Sequence, residues 1–229
     1  ECDYVTKDPK IYWYFFEIDT PYGKKKINKM QKSSKGQILD GYSWQLTVFK
    51  KDFETPAWLS GGIMYQIFPD RFNKSNYKKD NVPKDRTIHK NWSDDPVWEA
   101  NDRGEVTNSD YFGGDLQGIT DKIGYLKKLG VTCIYLNPIF EAHSNHRYNT
   151  ANYKNIDPLL GTIHDFNKLA NKLKKNGIRL IIDGVFSHTG SDSIYFNKNN
   201  RYNTVGAYNS LDSIYSGWYN FIKWPEQYQ

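Results

Sequence analysis

Hydrophobic positions follow two regimes along this chain. Up to about residue 55 they gather in short aromatic runs. Ile11-Tyr12-Trp13-Tyr14-Phe15-Phe16-Glu17-Ile18 predicts one strand and Trp44-Gln45-Leu46-Thr47-Val48-Phe49 another, with a turn at Pro21-Tyr22-Gly23. Two or three strands do not make a stable domain alone. Residues 1–57 therefore read as the C-terminal part of an N-terminal β-sandwich, and Thr55-Pro56-Ala57-Trp58 as a linker. From Gly62 the runs become continuously apolar: 62–68, 131–136 and 178–183 predict strands buried on both faces. Between them the period lengthens. Ile119, Ile123 and Leu126 make one face of a helix over 118–128 that Gly130 ends. Ile163, Phe166, Leu169, Ala170 and Leu173 make the stripe of a second, which Gly177 ends, and Thr162 and Asp165 have the spacing of a capping box at its start. Strand, helix, strand, helix, strand with right-handed crossovers is a parallel sheet.

Such a sheet belongs either to an open doubly wound fold or to the start of a (β/α) barrel. The first loop has no G-x-G-x-x-G, which weakens the nucleotide-binding option. Large polar insertions leave the C-terminal ends of the first and third strands, where barrel enzymes build their sites. The net charge of +5 comes mainly from scattered lysines, which serve solubility. No basic stripe with interleaved aromatics points to nucleic acid, and no apolar run suits a membrane span. The two cysteines, Cys2 and Cys133, make no disulfide framework, and Cys133 reads as a buried thiol. The chain opens at Glu1 without a signal peptide; the compartment is left open, with a cytoplasmic one favoured.

Three polar clusters sit at the predicted strand ends: Asp183-Gly184-Val185-Phe186-Ser187-His188, Asn145-His146-Arg147-Tyr148-Asn149-Thr150, and Phe112-Gly113-Gly114-Asp115. Singly each has an ordinary use. An Asp at a strand end commonly caps backbone amides, and an Asp after two glycines commonly caps the next helix. Together, in this order and spacing, they are far more specific.

The run Gly62-Ile63-Met64-Tyr65-Gln66-Ile67-Phe68-Pro69-Asp70-Arg71-Phe72 resembles the first barrel strand of the α-amylase family of glycoside hydrolases, in the neopullulanase, cyclomaltodextrinase and maltogenic amylase branch. Tyr111 to Ile119 resembles that family's entry to the first helix. Leu136-Asn137-Pro138-Ile139-Phe140 with Asn145 to Tyr148 resembles the end of strand two and its loop, and Asp183 to His188 the first conserved region. The resemblance implies an α/β fold. Residues 58–188 would be the first three strands of a (β/α)8 TIM barrel, and 189–229 the start of the small domain inserted after strand three.

What the resemblance implies for chemistry is retaining cleavage of α-glucosidic bonds in starch-type, pullulan-type or cyclic maltodextrin substrates. The nucleophile, the acid/base and a third carboxylate lie after later strands, so no catalytic residue is expected in this chain, and the chain alone is expected to be inactive. His188, Tyr148 and His146 match sugar-binding positions, and Asp183 a residue that orients its neighbours. No cofactor is expected. The family's calcium loop would fall on Asn76, Asp80, Gly113 and Asp115. Lys74 and Lys79 occupy two of the ligand positions, and an ammonium cannot ligate calcium. The loop is read as vestigial, with a lysine ammonium in place of the ion. Ser187 and Asn149 also depart from the family's Asn and Asp. The expected partner is an α-glucan, with no nucleic acid and no membrane. An open edge on strand three makes association, including a homo-oligomer, an expected state. The alternative reading is a non-catalytic carbohydrate-binding or scaffold protein that keeps the fold.

Overall fold

The aromatic run that begins at Lys10 does not continue as one strand. In the computed structural model, which describes residues 3–6, 8–76, 78–79 and 82–228, it breaks at Phe15. β1 (Lys10–Tyr14) pairs antiparallel with β5 (Trp44–Val48), whereas β2 (Phe16–Thr20) pairs with β3 (Gly23–Lys29), and β3 with β4 (Gly36–Gln37). The single strand expected over 11–18 is thus two strands in two sheets. Uninterrupted aromatic residues hide the corner, because both sides of it are apolar. Trp44 ties the sheets together, stacked on Tyr14 at 5.8 Å and edge-on to Phe16 at 5.4 Å. β3 was not anticipated either: its Lys24-Lys25-Lys26 core lacks an apolar alternation. These strands form the compact unit Glu1–Ala57, and Trp58–Gln229 form a second. Among its described residues the first unit buries only Asn28.

In the second unit β6 (Met64–Ile67), β9 (Cys133–Leu136) and β12 (Arg179–Ile182) make a parallel sheet with β9 in the middle. Met64, Cys133 and Arg179 are in register, and so are Ile67, Leu136 and Ile182. All three strands therefore end at one level, and their next residues emerge along a common edge. The helix expected over 118–128 starts earlier and is split: α1 (Leu116–Asp121) and α2 (Ile123–Lys128) meet at Lys122, whose φ of −93° and ψ of 5° interrupt the helix. The apolar stripe survives the break, since Ile119, Ile123 and Leu126 are all buried, so periodicity could not reveal it. α3 (Ile163–Lys175) opens with the capping box of Thr162 and Asp165. Both stop glycines are left-handed, Gly130 at φ +80° and Gly177 at φ +73°.

The core lies between this sheet and the helices, with Ile67, Ile119, Leu126, Ile134, Leu169 and Leu173 at its centre. Burying each such side chain is worth about 1.5–3 kcal/mol. The sheet's other surface is less covered: Met64 and Ile182 are exposed. Among the described residues β12 pairs with β9 alone, so its far edge is open.

Between β6 and β9 the long polar insertion carries β7 (Thr87–Ile88), parallel to β8 (Asp110–Tyr111). It lies directly on α1: a Cβ on Gly118 would stand 2.0 Å from the Asn73 carbonyl oxygen. Between β9 and α3, β10 (Phe140–Ala142) and β11 (Thr150–Ile156) form an antiparallel hairpin whose tip is the His146 loop. After β12 the chain packs aromatics around the buried Phe196, with Tyr219 at 4.9 Å and Tyr228 at 4.7 Å, and closes with β13 (Phe221–Lys223) against β14 (Gln227–Tyr228). Arg201 pins this last segment to the first insertion, bonding Asp192 at 2.6 Å and Asp85 at 2.9 Å.

Candidate active-site end of the sheet

Because the three strands end in register, one polar residue from each reaches the same edge. Gln66 of β6 donates to Asn137 Oδ1 at 2.9 Å, and Asn137 Nδ2 donates to the Tyr148 hydroxyl at 3.3 Å. That hydroxyl donates to Asp183 Oδ2 at 2.9 Å. The row runs across all three strands and ends on a carboxylate. The Tyr135 hydroxyl also hydrogen-bonds to Asp183, which with burial and the carboxylate's charge pushes that phenol up to about 12. Burial and the same carboxylate raise Tyr148. Both phenols stay protonated and donate, so Asp183 acts as an acceptor anchored from two sides.

His188 lies beside this row. Its Nε2 is 3.0 Å from the Tyr148 carbonyl oxygen, so Nε2 carries the proton and donates. Its Nδ1 is 3.1 Å from Ser187 Oγ, so Ser187, where the family pattern has Asn, holds the ring from the other side. His146 Nδ1 accepts from the Tyr148 backbone N–H at 3.0 Å, which leaves its proton on Nε2. Burial, and then the charge of Arg147, lower the pKa of His146 and keep the imidazole neutral. The residues singled out from sequence, Asp183, His188, Tyr148 and His146, thus form one hydrogen-bonded group. Asn137, Tyr135 and Gln66 were missed as partners. Asn137 stood in a quoted motif but carried no chemical signal of its own.

Beneath the loop lies a buried charge cluster that sequence reasoning also missed. Asp157 is fully buried and receives Arg147 Nη2 at 3.3 Å and Arg86 Nη1 at 3.3 Å, together with the Leu159 N–H at 3.0 Å. Arg86 comes from the long polar insertion, where no periodicity marks it. Its Nη2 donates to the Ala142 carbonyl.

At the entry to α1, Asp70 accepts from the N–H groups of Phe112 and Gly113, each at 3.0 Å, and from Arg71 Nε at 2.8 Å. Asp115 uses both oxygens. Oδ1 caps α1 through the Gly118 N–H at 2.7 Å, and Oδ2 accepts Lys79 Nζ at 2.8 Å and Ser75 Oγ at 2.9 Å. The Lys79 side chain is nearly buried, and the stems of Lys79 and Lys74 both pack over Gly113. Asn76 is exposed, and Asp80 lies outside the described residues. Two lysine stems and an ammonium on the shared carboxylate do not fit a divalent cation, which needs several oxygens in that space. Among the described residues no three His, Cys, Asp or Glu side chains are grouped to hold a metal.

A cavity of about 1000 Å³ opens beside the C-terminal segment, lined by His188, Phe186, Tyr153, Tyr195, Tyr215 and Trp218 among others. Of the four residues singled out from sequence, only His188 lines it. Tyr153 stacks on Tyr195 at 5.7 Å and Tyr195 on Trp218 at 5.1 Å, while the Tyr153 hydroxyl donates to the His188 carbonyl at 2.8 Å. Trp218 keeps a large exposed surface at 61%. Flat aromatic faces next to hydrogen-bonding polar groups are what a sugar ring requires.

Comparison with known proteins gives these features a context. A family model described as alpha amylase, catalytic domain, matches residues 66–227, well over half of the chain. An amylopullulanase of Thermoanaerobacterium saccharolyticum is 41% identical over 92% of this chain and 18% of its own length. A cyclomaltodextrinase of Thermoanaerobacter pseudethanolicus is 36% identical over 94% of this chain and 34% of its own. Among solved structures, the type III pullulan hydrolase of Thermococcus kodakarensis superposes with a TM-score of 0.62 at 30% identity, covering 95% of this chain and 36% of that one. The chain thus spans about a fifth to a third of these relatives.

Proposed function

The chain belongs to the α-amylase family, with its mixed α/β barrel fold, and from that premise we propose that it is the part of a retaining α-glucan hydrolase that grips the sugar. In this reading residues 58–188 are the first three strands of the (β/α)8 barrel. Residues 1–57 are the end of an N-terminal β-sandwich, and 189–229 begin the domain inserted after strand three. The observation that carries the reading is the joined group of Tyr148, Asp183 and His188 at the common strand end, with the aromatic cavity against His188. Tyr148 offers an aromatic face to sugar C–H groups. The Nε2–H groups of His146 and His188 offer donors to hydroxyls, His188 by exchanging its bond to the Tyr148 carbonyl for one to the ligand. Substrates are starch-type, pullulan-type or cyclic maltodextrins. The cleaving carboxylates are supplied by strands outside this chain.

Titration with maltohexaose, followed by calorimetry or tryptophan fluorescence, tests the reading. The chain is expected to bind, and Tyr148→Ala to weaken binding about tenfold, near 1.4 kcal/mol. Tyr148→Phe keeps the ring and is expected to lose less. Absence of binding, or equal affinity in Tyr148→Ala, would sink it.

The same proposal holds that the loop after β6 uses the Lys79 ammonium in place of a calcium ion. Melting transitions in calcium and in chelator are therefore expected to coincide. A true site would add about 2.7 kcal/mol at calcium a hundredfold above its Kd, so a transition raised by calcium refutes the substitution.

A further inference from the structure

Arg147 sits between His146 and Tyr148, both used by the glucan reading, yet its own side chain points away from solvent and is 1% exposed. Its backbone is left-handed, φ +61°, a conformation that an unbranched residue adopts only when its surroundings hold it there. Several contacts do so. Nη1 donates to the Asn145 carbonyl at 2.9 Å, and Nη2 to Asp157 Oδ1 at 3.3 Å. The guanidinium lies 5.5 Å from the Tyr111 ring centroid, which Arg86 faces at the same distance. Arg86 meanwhile ties Asp157 to the Ala142 carbonyl on β10. Turning inward at Arg147 leaves its neighbours turned the other way: the Tyr148 N–H meets His146 Nδ1, and the Tyr148 carbonyl meets His188 Nε2.

We infer that Arg147 is a positioning residue: anchored on Asp157, it holds the left-handed turn that presents His146 and Tyr148 beside His188. The inference rests on the glucan reading for its purpose, though not for its geometry. A lysine would keep the charge but lose the forked pair of bonds to Asp157 and Asn145.

The test uses the whole chain as Arg147→Met and Arg147→Lys, with histidine ring resonances by NMR and maltohexaose titration. In Arg147→Met burial still lowers the His146 titration, but it is expected to rise in part, because the nearby positive charge is gone. The His188 resonances are expected to shift, and maltohexaose binding to fall about tenfold or more. Arg147→Lys is expected to keep the lowered His146 titration yet still shift His188 and weaken binding. Folded variants with unchanged His146 and His188 resonances would overturn the inference, and Arg147→Lys alone decides it should Arg147→Met fail to fold. If the unaltered chain does not bind maltohexaose, the glucan reading fails, while the ring resonances still decide whether Arg147 positions the loop.

Discussion

The purified 229-residue chain is expected to release reducing sugar from pullulan, starch or cyclodextrin no faster than buffer does. Retaining cleavage requires two carboxyl groups about 5–5.5 Å apart across the scissile bond, one ionised to attack and one protonated to donate. The acids near the strand ends are committed elsewhere. Asp183 accepts from two phenols, Asp70 from two backbone amides and Arg71, Asp115 from an amide and an ammonium, and Asp157 from two guanidiniums. Burial pushes Asp110 up, but His89, the Val97 amide and Arg71 outweigh it and leave the carboxyl below its ordinary range. Such a group is ionised near neutrality and cannot serve as the general acid. Enzymes commonly accelerate their reactions a millionfold or more, with turnover near about 10 per second. Without the acid pair that whole factor is forfeit. A reducing-sugar assay giving turnover of about 1 per second would overturn the expectation, and would place a working carboxylate pair within this chain. A longer chain that supplies the later strands yet stays inactive would favour the non-catalytic, carbohydrate-binding reading.

Asp157→Asn is expected to cost about 3–5 kcal/mol, because it strips the counter-charge from two guanidiniums that are nearly out of water. The amide keeps the carboxylate's shape, so packing around Leu159 and Ala142 is preserved and the loss is electrostatic. A domain's net stability is about 5–15 kcal/mol, so this single atom exchange removes a large share of it. With a urea slope of about 1–3 kcal/mol per molar, the unfolding midpoint should fall by roughly 2 M. The cluster also joins two stretches distant in sequence, the insertion through Arg86 and the tip and base of the hairpin through Arg147 and Asp157, so the loss should be felt by the insertion and the hairpin together. A midpoint within roughly 0.3 M of the unaltered chain would contradict the argument. This expected cost is also why the positioning of the His146 loop is better probed at Arg147 than at Asp157.

Much of the second unit was legible because its signals are local. The capping box at Thr162 and Asp165, the stop glycines and the continuous apolar runs each act within a few residues, and the parallel order follows from connection handedness. What escaped has non-local causes. Nothing near Phe15 shows that β1 pairs with β5 while β2 pairs with β3, because the partners lie 30 to 38 residues away for one and 3 to 11 for the other. Nothing at Lys122 distinguishes a split helix from a continuous one when the apolar stripe is the same. The site was legible where side chains carry chemistry of their own, as at Asp183, His188, Tyr148 and His146. It was silent at Asn137, Tyr135 and Arg86, whose roles exist only once three strand ends and an insertion meet.

The bare sheets of the first unit carry a thermodynamic consequence. Heat capacity rises on unfolding chiefly because apolar surface becomes hydrated, at about 12–15 cal/mol/K per residue in an ordinary domain. In Glu1–Ala57 that hydration is largely in place before unfolding begins: Trp13 is 64% exposed, Phe49 67% and Phe15 45%. Melting these strands therefore adds little to the heat-capacity step, and a calorimetric scan of the chain registers almost entirely the unit that follows Ala57.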